Sequence, residues 1–338
     1  MRVAVFNTKA YDRRFLSEAN ARFGHALTFL EPRLDALTAT LAAGHEAVCV
    51  FVNDGVDASV LEALAKVGVR LVALRCAGFN NVDLFAAERL GIAVVRVPAY
   101  SPHAVAEFTV GLLLAVDRQI PRAWSRVREN NFALDGLIGR NLHGRTVGVV
   151  GTGKIGALVA RTLRAGFGCT VLASDLYADP ELEAIGVRYV PREELLRTAE
   201  IVTLHCPLTP DTHRLIDARV IAEARDGLVI VNTSRGALID TGALIEGLKA
   251  RKVRAVALDV YEQEADLFFE DLSNEIIADD QFQRLLTFPN VLITGHQAFL
   301  TEEALSAIAE TTLASIADFE AGRPLENRVD AALIAPAR

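Results

Sequence analysis

Short apolar runs recur along this chain at intervals that leave room for a helix between them. In the first hundred residues the runs are Val3 to Asn7, Ala47 to Asn53, Val69 to Cys76 and Ala93 to Pro98. Helix-like stretches such as Arg13 to Phe23 and Ser59 to Lys66 separate them. Apolar strands alternating with helices predict a small α/β unit. A long helical pattern follows from about His103 to Asn130, with Val105, Phe108, Thr109 and Leu112 on its apolar face. Gly136 to Gly144 reads as a loop that opens a second alternating series. Its strand candidates are Thr146 to Val150, Thr170 to Ser174, Ile201 to His205, Leu228 to Asn232, Ala255 to Val260 and Val291 to Thr294. This series predicts a doubly wound parallel sheet. The acid-rich stretch Ala265 to Leu286 reads as a surface loop with a short helix. The last helix, about Glu302 to Ala321, has no strand after it and is expected to cross back onto the first unit.

Composition narrows the class. A chain of 338 residues with 51% hydrophobic residues suits two domains with sizeable cores. A net charge of -8 and a pI near 5.5 argue against nucleic-acid binding, which needs clustered Lys and Arg. Met1 to Phe6 enters a strand-like run at once, so no signal peptide is expected. No apolar run is long enough to span a bilayer. Cys49, Cys76, Cys169 and Cys206 have no paired metal-type spacing, so reduced, buried thiols in the cytoplasm and no metal site are expected.

The candidate chemistry sits just after the strands of the second series. Gly151-Thr152-Gly153-Lys154-Ile155-Gly156 follows a strand candidate and opens an amphipathic helix. Asp175 stands 19 residues beyond Gly156 (175 minus 156), at the end of the next strand. This is the context in which a glycine turn receives a pyrophosphate and an acid receives a ribose diol. A 2′-phosphate at Asp175 would face a carboxylate, and Leu176 and Tyr177 follow instead of arginine, so NAD is favoured over NADP. Three further segments, Ser234-Arg235-Gly236, Glu262-Gln263-Glu264 and Gly295-His296-Gln297-Ala298, also follow strand candidates. All strand C-termini of an open parallel sheet share one edge, where ligands bind. An arginine there can clamp a carboxylate, and a histidine can carry a proton. A neighbouring carboxylate would hold the ring and favour its charged form. Spacing alone leaves Glu262, Glu264 and Asp266 open as that neighbour.

These residues carry a resemblance. Arg75-Cys76-Ala77-Gly78-Phe79-Asn80-Asn81-Val82-Asp83, Val97-Pro98-Ala99-Tyr100-Ser101-Pro102, Leu204-His205-Cys206-Pro207-Leu208-Thr209-Pro210, Val231 to Gly236 and Thr294 to Phe299 match over nearly the full length. The chain resembles the D-isomer-specific 2-hydroxyacid dehydrogenases, and among them the fermentative D-lactate dehydrogenases. The resemblance implies two Rossmann-like domains with the active site in the cleft between them. It implies a discontinuous substrate domain, residues 1–100 plus 299–338, and an NAD-binding domain, residues 101–298. It implies Arg235 as carboxylate clamp, His296 as acid/base and Glu264 as its partner. Ala77, Gly78, Tyr100 and Phe299 would line the substrate side. Lys154 and Ile155 would sit at the pyrophosphate, Cys206 and Pro207 by the adenine, and Thr233, Ser234 and Asp259 by the nicotinamide. Thr212, implied as a cofactor contact, stands where relatives often carry asparagine. The implied reaction is reversible reduction of pyruvate to D-lactate by NADH, in a homodimer or higher oligomer. A bulkier 2-keto acid is the alternative substrate, and a non-enzymatic NAD(H)-sensing protein is the alternative from another class.

Overall fold

A computed structural model describes residues 1–264 and 267–333. Asp266 and the start of the Ala265 to Leu286 stretch lie outside them. The chain divides into two compact units, Met1–Ser101 with Leu300–Arg338, and Pro102–Phe299.

The first unit holds strands β1 (Arg2–Val5), β2 (Ala26–Phe29), β3 (Ala47–Val50), β4 (Leu71–Leu74) and β5 (Ala93–Val95). All pair in parallel, in the order β2-β1-β3-β4-β5. The central strands are buried throughout, whereas β2 alternates between exposed and half-buried. Its weak apolar signal is why the sequence pattern passes over it. The helix Glu302–Glu320 packs on this unit, against the helix Ala10–Asn20 and β4. Arg75 is buried here beside Asp12, with Nε donating to Asp12 Oδ1 at 3.0 Å and Nη2 to the Asn7 carbonyl at 2.9 Å.

The second unit holds β6 (Thr146–Val150), β7 (Thr170–Ser174), β8 (Arg188–Tyr189), β9 (Ile201–Leu204), β10 (Leu228–Asn232), β11 (Val253–Leu258) and β12 (Val291–Ile293). Their order is β12-β11-β10-β9-β6-β7-β8, again all parallel. Val229 and Val231 join one core and Leu228 and Ile230 the other, on opposite faces of β10. Both faces are buried, which makes these strands read as unbroken apolar runs. The two-residue β8 escapes the sequence pattern because it is short and at the edge.

One predicted element is corrected. The pattern from His103 to Asn130 forms two helices, Pro102–Asp117 and Ile120–Arg128. Gln119 between them has φ of 52°, and Pro121 lies in the first turn of the second helix. Proline removes a helical N–H and starts helices better than it continues them.

Candidate active site

The strand order of the second unit sets the site out in space. Along the C-terminal edge come the His296 loop after β12, the Tyr261 to Glu264 turn after β11, Arg235 after β10, Cys206 after β9, the glycine turn after β6 and Asp175 after β7. The order reverses between β9 and β6, and such a switch point opens the crevice where ligands bind.

At that crevice Gly151 has φ of 89° and passes so close to the segment after β9 that a Cβ would lie 2.6 Å from the Cys206 nitrogen. A Cβ on Gly156 would collide with the Gly151 carbonyl oxygen. At Gly153, the N-cap of the helix Lys154–Arg161, a Cβ would meet nothing within 4 Å. The turn is therefore packed below and open above, which is the cradle a pyrophosphate needs. Lys154 and Ile155 begin the helix, Lys154 exposed and Ile155 half-buried. Asp175 is exposed, and its Oδ2 accepts from the Thr152 hydroxyl at 3.3 Å while Oδ1 accepts from the Leu176 N–H at 2.6 Å. His205 packs beneath the turn with Nε2 2.7 Å from the Thr203 hydroxyl. Burial pushes its pKa down to about 3, so it is neutral and structural.

The neighbouring loop is held by its own side chains. Pro207 is exposed beside buried Cys206, and the Ser234 hydroxyl donates to the Cys206 carbonyl at 2.8 Å. The Thr212 hydroxyl donates to the Pro207 carbonyl at 2.7 Å and accepts from the Thr209 N–H at 2.8 Å. That hydroxyl is thus engaged within its own loop. Thr233 is buried, its hydroxyl 2.8 Å from that of Thr109.

Asn232 ends β10, fully buried, and shapes the arginine loop. Its amide donates to the Arg235 carbonyl at 2.8 Å and its oxygen accepts from the Ser234 N–H at 3.0 Å. Arg235 is half-buried, with Nη1 on the Ser234 carbonyl at 2.7 Å. Gly236 lies so close to the next loop that a Cβ would collide with the Tyr261 carbonyl and the Glu262 nitrogen. The arginine loop and the glutamate turn are therefore in contact.

His296 Nδ1 lies 2.8 Å from Glu264 Oε1, with both side chains about one-fifth exposed, at 19% and 22%. Glu264 Oε2 accepts from the Tyr261 N–H at 2.8 Å. Phe269 packs on the imidazole, with ring centroids 5.7 Å apart. Geometry separates the two candidate glutamates: Glu262 turns to Arg214 and Thr241, and Glu264 takes the histidine.

Asp259 braces the histidine loop from below. Its carboxylate is wholly buried and accepts from the Thr294 hydroxyl at 2.6 Å, the Gln297 N–H at 2.9 Å and the Ala298 N–H at 2.8 Å. Burial raises its pKa despite those bonds and the nearby His296. An acid directly after β11, inside the apolar run Ala255 to Val260, is a legible signal for such a buried brace, as is the asparagine that ends β10. Arg214 and Thr294 carry no comparable signal.

Ala77, Gly78 and Tyr100 belong to the first unit. Ala77 and Gly78 follow β4, where the Ala77 carbonyl accepts from Arg96 Nη1 at 2.9 Å and the Gly78 carbonyl from the Cys76 thiol at 3.3 Å. Tyr100 follows β5 and is half-buried. Phe299 is buried at the end of the second unit.

A dinucleotide cradle on the same sheet edge as a carboxylate-backed histidine and an arginine defines a dehydrogenase of small hydroxy acids. Comparison with known proteins agrees. Residues 110–298 match the model of the D-isomer specific 2-hydroxyacid dehydrogenase, NAD binding domain. A 2-hydroxyacid dehydrogenase homolog of Haemophilus influenzae is 54% identical over 97% of this chain and 99% of its own length. The D-lactate dehydrogenase of Escherichia coli is 50% identical over 97% of this chain and all of its own length, 100%. A structure described as the pyruvate reductase of Chlamydomonas reinhardtii superposes with a TM-score of 0.91 at 47% identity, over 97% of this chain and 98% of that one. The chain belongs to the D-isomer-specific 2-hydroxyacid dehydrogenases.

Proposed function

We propose that the chain reduces pyruvate to D-lactate with NADH. The Glu264–His296 pair carries this reading: with Nδ1 on a carboxylate, Nε2 is the nitrogen left to exchange a proton with substrate. Arg235 binds the substrate carboxylate through its remaining N–H groups and orients the keto group. In reduction the charged imidazole gives its proton to the keto oxygen, and in oxidation the neutral ring takes the hydroxyl proton. The glycine turn and Asp175 hold NAD, with the Asp175 carboxylate disfavouring a 2′-phosphate. When bound, NADH supplies the hydride to the keto carbon. Ala77, Gly78, Tyr100 and Phe299 are assigned to substrate contact in this reading. The relatives named for D-lactate and pyruvate support the choice of substrate.

The working form we propose is a homodimer. On the helix Ile120–Arg128 and the loop after it, Trp124, Phe132, Leu134 and Ile138 are 63% to 85% exposed. Neighbouring exposed apolar side chains of this size mark an interaction surface. Four buried free cysteines suit a reducing compartment.

The test is NADH oxidation with pyruvate, phenylpyruvate, 2-ketoisocaproate, oxaloacetate and glyoxylate, with the handedness of the product determined. Pyruvate is expected to give the highest kcat/KM and D-lactate, and NADPH to be poorly used. Highest kcat/KM on a bulkier acid overturns the substrate. No turnover with any of them overturns the enzymatic reading in favour of NAD(H) sensing.

A further inference from the structure

Arg214 stands outside the chemistry described so far, yet it is held in a demanding way. Its φ of 50° lies in the left-handed region, where an arginine persists only when its surroundings fix it. Its N–H donates to the Ala237 carbonyl at 2.8 Å, and Ile216 bridges Ile239 in parallel. The guanidinium Nε and Nη2 both donate to Glu262 Oε1, at 3.0 and 2.9 Å, and Nη1 lies 3.5 Å from Asp240 Oδ2. Glu262 Oε2 accepts from the Thr241 hydroxyl at 3.0 Å and the Thr241 N–H at 3.3 Å. Both oxygens of Glu262 are thus committed away from His296.

Two residues further on is Glu264. The short turn that bears both glutamates is gripped from outside by Arg214, supported from below by Gly236 against its backbone, and closed inside by the Tyr261 N–H on Glu264 Oε2. The charged groups around it are Glu264 and buried Asp259 at His296, Glu262 and Asp240 at Arg214, and Asp279 on the Tyr261 hydroxyl. Arg214 is half-exposed, so its ion pair adds little to global stability. Its effect is on the aim of one carboxylate.

We infer that Arg214 is a positioning residue for proton transfer: through Glu262 it fixes the turn that directs Glu264 at His296. The inference rests on the acid/base reading of that pair. A small displacement of an orienting group costs catalysis heavily.

The test compares Arg214→Gly, Arg214→Lys, Glu264→Gln and the double variant Arg214→Gly with Glu264→Gln. Glycine suits the left-handed backbone, so it removes the guanidinium without straining the fold. Measured are Tm, NADH affinity by fluorescence titration, and the pH at which pyruvate reduction falls to half. Arg214→Gly is expected to keep Tm and NADH affinity, to lower kcat roughly tenfold and to move the half-activity pH down by about half a unit. Lysine, which offers a point charge in place of a fork, recovers part of both losses. In the Glu264→Gln background Arg214→Gly moves the midpoint no further. A wild-type midpoint in Arg214→Gly, beside a shifted one in Glu264→Gln, overturns the positioning role and leaves the acid/base reading standing. A loss of kcat that only tracks a fall in Tm also overturns it. Wild-type midpoints in both single variants overturn the two readings together.

Discussion

His296 holds a left-handed backbone with φ of 53°, a conformation that costs of order 1–3 kcal/mol unless its neighbours fix it. Asp259 supplies the fixing: its carbonyl accepts from the His296 N–H at 2.7 Å, and its carboxylate holds the next two N–H groups. The ring is thereby presented to Glu264 before any substrate arrives. His296→Gln is expected to lower kcat for pyruvate reduction by about 10²- to 10⁴-fold, with NADH affinity near wild type in a fluorescence titration. In the proposed mechanism reduction draws its proton from the charged ring, so activity is expected to fall as pH rises. A carboxylate beside an imidazole in general favours the charged ring. Glu264→Gln is therefore expected to move the falling limb to lower pH, as read from kcat/KM against pH. An unchanged limb refutes the pairing.

The glycine turn is where the demands of neighbouring elements meet. Gly156 brings its helix against the turn, and the added methyl group of Gly156→Ala would collide with the Gly151 carbonyl and press on the His205 side chain. That overpacking is expected to cost about 2 kcal/mol or more by urea denaturation, and NADH binding is lost with the turn. Gly153→Ala points its methyl into open space and leaves stability near wild type. It weakens NADH because the methyl occupies the face that a pyrophosphate approaches. Equal effects of the two substitutions refute this division of roles. The turn and the long buried strands were legible because each satisfies a local rule: a period, a glycine, an acid at a fixed interval. The strands β2 and β8 were not, because edge position and shortness leave little apolar pattern. The break at Gln119 was hidden because the apolar periodicity runs on through it while the backbone reverses sign. The choice of Glu264 over Glu262 was likewise closed to spacing, since Arg214, which claims Glu262, lies 48 residues away in sequence.

At the scale of the whole molecule, exposed apolar residues are concentrated in the segment after the helix Pro102–Asp117, among them Trp124, Phe132, Leu134 and Ile138. Trp124 is 63% exposed, and the helix that bears it has no buried residue. If the proposed homodimer forms through this face, Trp124→Glu is expected to shift sedimentation velocity from dimer to monomer, because a buried unpaired carboxylate opposes association. A dimer of undiminished stability in the variant places the interface elsewhere.

The first unit is assembled from two segments far apart in sequence, Met1–Ser101 and Leu300–Arg338, and a ribosome makes them far apart in time. The amino group of Met1 pairs with Glu320, and the helix Glu302–Glu320 covers β4 and the helix Ala10–Asn20. None of those contacts exists until some three hundred residues have been synthesised. The second unit is continuous and has every strand in hand by residue 293. Contacts of such long sequence separation form slowly, and exposed apolar sheet surface is the hazard of the interval. The sheet of the first unit therefore leaves the ribosome long before the helix Glu302–Glu320 exists to cover it.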